Sequence, residues 1–309
     1  MAENVNFDVA EYNSFGPWAY EINENYPLPR LFAPYFTDDD GAVMKIKIPR
    51  DIERRDAEPG MDLYDYVIAL YEDELRVLER QDNKVKEHSI PLKDFKGIRI
   101  YENLLRGGYT IYSAERAMSF PFNAVSVDLF QKLTNLVLEK MLSQKSAGQT
   151  IDISSLPVTD TAPEAQFMKN MLHDVQMKIP GIRLGAVQKS VEVSRKESRR
   201  DEIQRLLWKK TNPEALHLFT DKYLVIVENG IFPNLVGIQD LGYTQTIIPF
   251  DRIGSIQIAN SEDYNHLKEC VLSMGTNKIV YHFDEDDKEV PAFYNALNDG
   301  FLNHNSFRL

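Results

Sequence analysis

Apolar and polar residues alternate with a period of two along most of this chain, the signature of half-buried strands. In the first half, such runs predict strands at Met44–Ile48, Tyr66–Tyr71, Leu75–Arg80, Ser89–Leu105, Tyr109–Ala114 and Met118–Phe122. Gly107-Gly108 reads as a hairpin turn between two of them. The period then changes. Leu129, Leu133, Leu136, Val137 and Met141 recur at helical spacing, so Asn123 or Ser126 is expected to cap an amphipathic helix running to about Ser143.

The same pattern returns further on. Tyr71–Glu79 reads like Phe219–Val227, each with an aromatic, an Asp two positions later and an apolar run. Ser89–Ile100 matches Ile247–Ile258, sharing an Ile-Pro-apolar core and a closing Ile-x-Ile at the same spacing. Met44–Ile48 followed by Arg54-Arg55-Asp56 is echoed by Ser190–Val193 followed by Arg199-Arg200-Asp201. Phe120–Asn123 and Tyr281–Asp284 each end a strand and open a helix, the second helix spanning about Lys288–Leu302. Four matches in one order predict an internal duplication. The acidic run Asp284–Asp287 suits the N-terminus of that last helix.

Between the copies, Thr161-Ala-Pro-Glu164 reads as a capping box that starts a helix through about Met177, stopped by Pro180-Gly181. Ahead of both, residues 1–43 hold Phe7, Tyr12, Phe15, Trp18, Tyr20, Tyr26, Phe32, Tyr35 and Phe36. Disordered tails are poor in aromatics, so this segment is expected to pack as an extended arm, a partner-binding arm being the alternative.

A run of antiparallel strands with an Ile-Pro-apolar strand and a terminal amphipathic helix (Val125–Leu142; Lys288–Leu302) resembles the pleckstrin-homology-like superfamily, in particular its bacterial versions. The resemblance covers about residues 44–143 and 189–302 and rests on strand order rather than on a chemical motif. It implies an α+β fold, mainly antiparallel β, of two PH-like β-barrels each closed by a C-terminal helix. The expected organisation is an arm at 1–43, a first domain at 44–143, a linker with a helix at 144–188 and a second domain at 189–309. The family uses this scaffold to bind lipids, peptides or proteins and shares no catalytic residues.

Composition narrows the function classes. The net charge of −12 over 309 residues argues against a general nucleic-acid binder. One cysteine, Cys270, permits neither an internal disulfide nor a thiol-only zinc site. The first residues show no basic-then-apolar leader, and no window of 18 apolar residues occurs, so a cytoplasmic protein is expected.

Chemical motifs are absent. There is no Gly-x-Ser-x-Gly elbow, Walker sequence or Gly-x-Gly-x-x-Gly. Cys270 sits in an alternating apolar run and reads as a buried hydrophobe. The six histidines lack ligand spacing, and Asp38-Asp39-Asp40-Gly41 lacks the distal glutamate of a calcium loop. A non-enzymatic protein without a cofactor is expected.

One feature departs from the background. Residues 178–210 carry ten basic side chains against four acidic ones. Within this strip Arg195, Lys196, Arg199, Arg200, Arg205, Lys209 and Lys210 are the candidate anion- or partner-binding residues. An internal or solvated role for the strip is one reading; an anionic membrane surface or an acidic protein partner are the others. The leading expectation is a scaffold that recognises a protein or peptide at strand edges or beside the terminal helices. A peripheral membrane module is second. An enzyme built on an inter-domain cleft is third.

Overall fold

A computed structural model describes residues 9–37, 40–143, 153–196, 210–230, 234–235 and 242–305. The fold is α+β, with mostly antiparallel sheets and few helices. It divides into two compact units. One comprises residues 1–95, 105–109 and 120–146; the other comprises 96–104, 110–119 and 147–309.

The first unit is built on an antiparallel meander of β2 (Met44–Pro49), β3 (Tyr64–Leu70), β4 (Glu74–Gln81) and β5 (Lys84–Pro91). A short strand from the arm, β1 (Tyr20–Glu21), extends the meander beside β2. The single strand expected over Ser89–Leu105 is two strands. Pro91 fixes the backbone and ends β5. A 3-10 turn at Leu92–Asp94 follows, with Leu92 fully buried and its N–H bonded to Asp73 O at 2.8 Å, and β6 (Phe95–Asn103) starts in a new direction. Then come β7 (Arg106–Ser113), β8 (Ala117–Asn123) and helix α1 (Val127–Ser143).

Helix α1 buries Phe130, Leu133, Val137, Leu138 and Met141, while Leu129 and Leu136 flank that face half-buried. Phe130 stacks on Phe122 at 4.1 Å and lies 5.1 Å from Tyr109, whose hydroxyl meets Thr134 Oγ1 at 3.1 Å. Asn123 is the cap, accepting from Val125 N–H at 3.1 Å. Ser126 is turned to another use: its buried Oγ accepts from Ala19 N–H at 3.0 Å and tethers the arm.

Gly107-Gly108 is not the hairpin turn. The turn falls at Leu104-Leu105, with Leu104 at φ 52°, and both glycines lie inside β7. Gly107 serves packing instead. A Cβ there would sit 2.5 Å from the Phe122 ring.

The arm does pack within the chain. Phe15 and Phe32 are buried with Ala57, Leu63, Tyr64, Val67 and Leu78. Beneath it lies Lys47, fully buried, donating to Pro27 O at 2.8 Å with its ammonium 4.5 Å from the Tyr64 ring centre. Burial pushes this lysine down to about 8 against the opposing pull of Glu11. Burial likewise raises Glu11, whose carboxylate accepts from Arg30 N–H at 3.1 Å.

The second unit has a similar element order with additional short strands. Strands β9 (Arg183–Gln188), β12 (Ala215–Phe219), β13 (Tyr223–Glu228) and β15 (Tyr243–Pro249) form a meander. After Pro249, a 3-10 turn at Phe250–Arg252 begins with Phe250 N–H bonded to Lys222 O at 3.0 Å, as Leu92 bonds Asp73. Next come β16 (Ser255–Asn260), β18 (Leu267–Met274), β19 (Asn277–Asp284) and the terminal helix α3 (Glu289–Asn305). Its cap is Asp287, accepting from Glu289 and Val290 N–H at 2.9 and 3.0 Å, so the acidic run has a specific structural role. Leu224, Ile226, Ile248, Phe250, Leu272, Phe283, Phe293 and Leu297 fill the core.

Two sequence matches shift. Tyr71 N–H bonds Glu74 O and Thr220 N–H bonds Tyr223 O, which pairs Tyr71 with Thr220, one residue beyond the match to Phe219. These segments also contain the turn between two strands rather than a single strand. Met44–Ile48 heads its meander as β9 does. Ser190–Val193 instead lies at β10 (Val191–Arg195), in a separate sheet ordered β14 (Asn234–Leu235), β11 (Lys210–Asn212), β10, β17 (Tyr264–Asn265).

The inter-copy helix, α2 (Gln166–Lys178), starts later than the capping box implies and has no side-chain cap from its own residues. Glu214 replaces it from across the unit, its buried carboxylate accepting from Glu164 and Ala165 N–H at 2.6 and 3.1 Å. Thr161 instead donates to Glu289 at 2.6 Å.

The expected closed barrels are not found: each sheet is open, with two ends to its strand order. The strand breaks at Pro91 and Pro249 separate each four-stranded meander from the strands that follow. Strand β6 then pairs with β15, in a seven-stranded sheet ordered β8-β7-β6-β15-β13-β12-β9.

Because a methyl at position 107 would meet the Phe122 ring, Gly107→Ala is expected to cost about 1–3 kcal/mol through overpacking. The companion change Phe122→Leu should recover part of that loss in urea unfolding; purely additive losses would show that the ring is not what the glycine accommodates.

Candidate strand-edge interface

The basic strip gives no assembled cradle among the described residues. Arg195 is exposed at the end of β10, 5.9 Å from the Tyr264 ring centre. Lys196 donates its ammonium to Ser261 O at 2.7 Å and its N–H to Asp263 O at 2.8 Å. Lys189 pairs with Glu164 at 3.1 Å. Lys210 opens β11 opposite Val193, and its side chain lies outside the described residues. So do Arg199, Arg200, Arg205 and Lys209.

The buried ionisable groups serve packing. His217 is fully buried, with Nδ1 2.8 Å from the Tyr294 hydroxyl; burial drives it down to about 3. Its Nε2 has no hydrogen-bond partner among the described residues. Burial also raises the Cys270 thiol and pushes Glu228 up to about 7 against the pull of Arg99. Among the described residues, no three His, Cys, Asp or Glu side chains gather where a metal could be held, and no helix is long and apolar enough to cross a membrane. A cleft of about 360 Å³ in the first unit is lined by Arg50, Asp62, Arg80 and Asp82, but Arg80 is held by Asp65 at 2.7 Å.

What distinguishes this protein is how its strand edges are treated. An edge strand presents unpaired N–H and C=O groups that invite another strand, and stable proteins cover, shorten or charge it. Here β2 is covered by β1 and by Ile22 N–H, which bonds Lys45 O at 2.8 Å. Strand β9 receives Thr159 N–H on Leu184 O at 3.0 Å. Strand β5 exposes Lys84, Lys86 and Glu87, and β8 contains Pro121, which cannot donate to a ladder. On β19, Lys278 stands near one end and Asn212 Nδ2 bonds His282 O at 2.6 Å. Strands β14 and β17 are two residues long.

Strands β6 and β15 cover each other over five antiparallel pairs, from Tyr243 opposite Glu102 to Ile247 opposite Ile98. Arg99 Nε donates to Thr246 Oγ1 at 3.0 Å across this ladder. Gly97 permits the close approach: a Cβ there would lie 2.9 Å from Ile247 O.

Strand β16 is the exception. Ser-Ile-Gln-Ile-Ala-Asn has no charge and no proline, stands at the end of the sheet β16-β18-β19, and has no outer strand among the described residues. Its side chains show the difference. In β6, Ile98 and Ile100 are 0% and 2% exposed; their sequence counterparts Ile256 and Ile258 are 8% and partly exposed. Ser255, Gln257, Ala259 and Asn260 are exposed. Sequence reasoning considered strand edges without choosing one. The usable signal was the lack of any charge in Ser255–Asn260, where β5 carries three.

A neutral buried His217 carries a pH signature. Its value in the fold lies below the ordinary 6.5, so its contribution is fully present above pH 6.5 and drains away as the pH falls toward about 3. This slope reaches about 1.4 kcal/mol per pH unit. Urea unfolding between pH 7 and 4 should show a shallower acid loss for His217→Gln than for the native chain; parallel curves would contradict a neutral buried imidazole.

Compared with known proteins, the chain matches no family model and no curated protein sequence.

Proposed function

We propose that this chain is a duplicated PH-like scaffold, non-enzymatic, that binds a protein or peptide by strand addition along β16. The duplication is supported by two runs of similar element order: four paired strands, a 3-10 turn after Ile-Pro, further strands and a terminal helix, the second run adding the short strands β10, β11, β14 and β17. It is supported again by the matching turn bonds Leu92 to Asp73 and Phe250 to Lys222. The observation that carries the binding role is that, among the described residues, the neutral edge of β16 has no outer strand while the other sheet edges are paired, charged, interrupted or short. Strand addition draws affinity from main-chain hydrogen bonds and specificity from alternate side chains, which suits an edge without a deep pocket. The anionic-surface reading has weaker support, since the ammonium groups of Lys189 and Lys196 are already paired.

Charges placed on the edge test this. Gln257→Lys with Ala259→Lys alters two exposed positions and should leave stability within about 0.5 kcal/mol of the native chain. A photoreactive residue at position 255 should cross-link a partner in cell extract, and the two lysines should cut that yield at least tenfold. Equal yield from both proteins would overturn strand addition at this edge.

A further inference from the structure

The strand-addition reading leaves the occupant open, and the chain itself supplies a template for it. The match of Ser89–Ile100 to Ile247–Ile258 sets Ile98, Arg99, Ile100, Tyr101 and Glu102 against Ile256, Gln257, Ile258, Ala259 and Asn260. The first set is already paired, by Ile247, Thr246, Gln245, Thr244 and Tyr243. From this we infer, resting on the reading above, that β16 takes an uncharged, extended segment of the pattern Tyr-Thr-Gln-Thr-Ile, antiparallel to it, with the isoleucine opposite Ile256 and the tyrosine opposite Asn260.

The chemistry at each position agrees. Ile256 and Ile258 lie on the core side of β16; Ile256 is buried and Ile258 is partly exposed, where Ile98 and Ile100 are both sealed. An apolar residue opposite Ile256 completes that surface as Ile247 completes it beside Ile98. On the opposite face, exposed Gln257 stands where the half-buried Arg99 donates to Thr246, and a glutamine amide can donate to a threonine hydroxyl. Asn260 stands where the Glu102 carboxylate accepts from the Tyr243 hydroxyl, and its amide oxygen is again an acceptor. Charged residues in the occupant are disfavoured, because β16 offers them no counter-ion from Ser255 to Asn260.

The template also limits the length. Ser255 replaces Gly97, so the carbonyl of the occupant's isoleucine must stand further off than Ile247 O, which lies 2.9 Å from the Gly97 Cβ position, and the pair at Ile256 is the last and loosest. Pairing therefore spans Ile256–Asn260 and stops there. Five residues give a weak ligand whose affinity rises only when a larger partner holds the segment extended.

The test uses the full chain and a capped synthetic peptide, Tyr-Thr-Gln-Thr-Ile, at millimolar concentration, read by hydrogen exchange at those amides of residues 255–260 that face away from β18. The peptide is expected to slow exchange there at least fivefold. A Tyr-Thr-Gln-Thr-Asp peptide should lose the effect. If those outward amides exchange freely and the first peptide does not slow them, or the two peptides act alike, this occupant is wrong while an open edge stands. If those amides are as protected without peptide as the β18–β19 ladder, the edge is closed and the strand-addition reading falls with it.

Discussion

The constraint on which this structure turns is the open strand edge. Every strand in an antiparallel sheet has two rows of backbone groups, and the end strands leave one row without a partner. Closing a sheet into a barrel removes the problem, but the Ile-Pro turns after β5 and β15 break the strands instead and leave open sheets with ends to protect. Much of the molecule outside the two meanders is then explained by where those ends lie. The arm lays β1 along β2, Thr159 bonds β9, and β6 and β15 satisfy each other. Segments that look like loose connections in the sequence are edge covers in the fold.

The arm shows what such a cover demands of the strand beneath it. In Met-Lys-Ile-Lys-Ile the lysines alternate with apolar residues and imply a solvated face. Once Phe15 and Phe32 settle on that side, Lys47 is sealed in with Glu11, Tyr64 and Pro27. A buried cation is tolerable only with partners, and removing one partner of such a set is far more costly than replacing the whole set with apolar residues. The arrangement therefore adds specificity more than stability. An arm shifted by one residue would strand Lys47 without the Pro27 carbonyl.

This explains which parts of the fold were legible in the sequence. Strand positions, the terminal helices and the repeated Ile-Pro step were readable because period and proline geometry act locally. The closed barrels were not borne out, because the partner of β6 lies about 145 residues away at β15 and no local pattern names it. Gly107 read as a turn residue because glycine usually earns its place through φ; here it is needed for the bulk of Phe122, a contact across strands. The Thr161 box failed for a similar reason, since Glu214 reaches the helix first. Of the candidate site, the basic residues drew attention through composition, whereas β16 announces itself only by what it lacks.

The proposed duplication sets β6 beside β16, through the match of Ser89–Ile100 to Ile247–Ile258, and the two edges differ. In β6, Arg99 and Glu102 engage Thr246 and Tyr243, and Gly97 lets the neighbour in. In β16 the corresponding positions hold Gln257, Asn260 and Ser255: still able to bond, uncharged, and with a Cβ where the closest contact would fall. Strand β5 in the same chain carries the opposite treatment, with Lys84, Lys86 and Glu87 exposed along its edge. The transient neighbour proposed above suits a neutral edge on which Ile258 is partly exposed, since a permanent neighbour favours the glycine and the sealed isoleucines that β6 has.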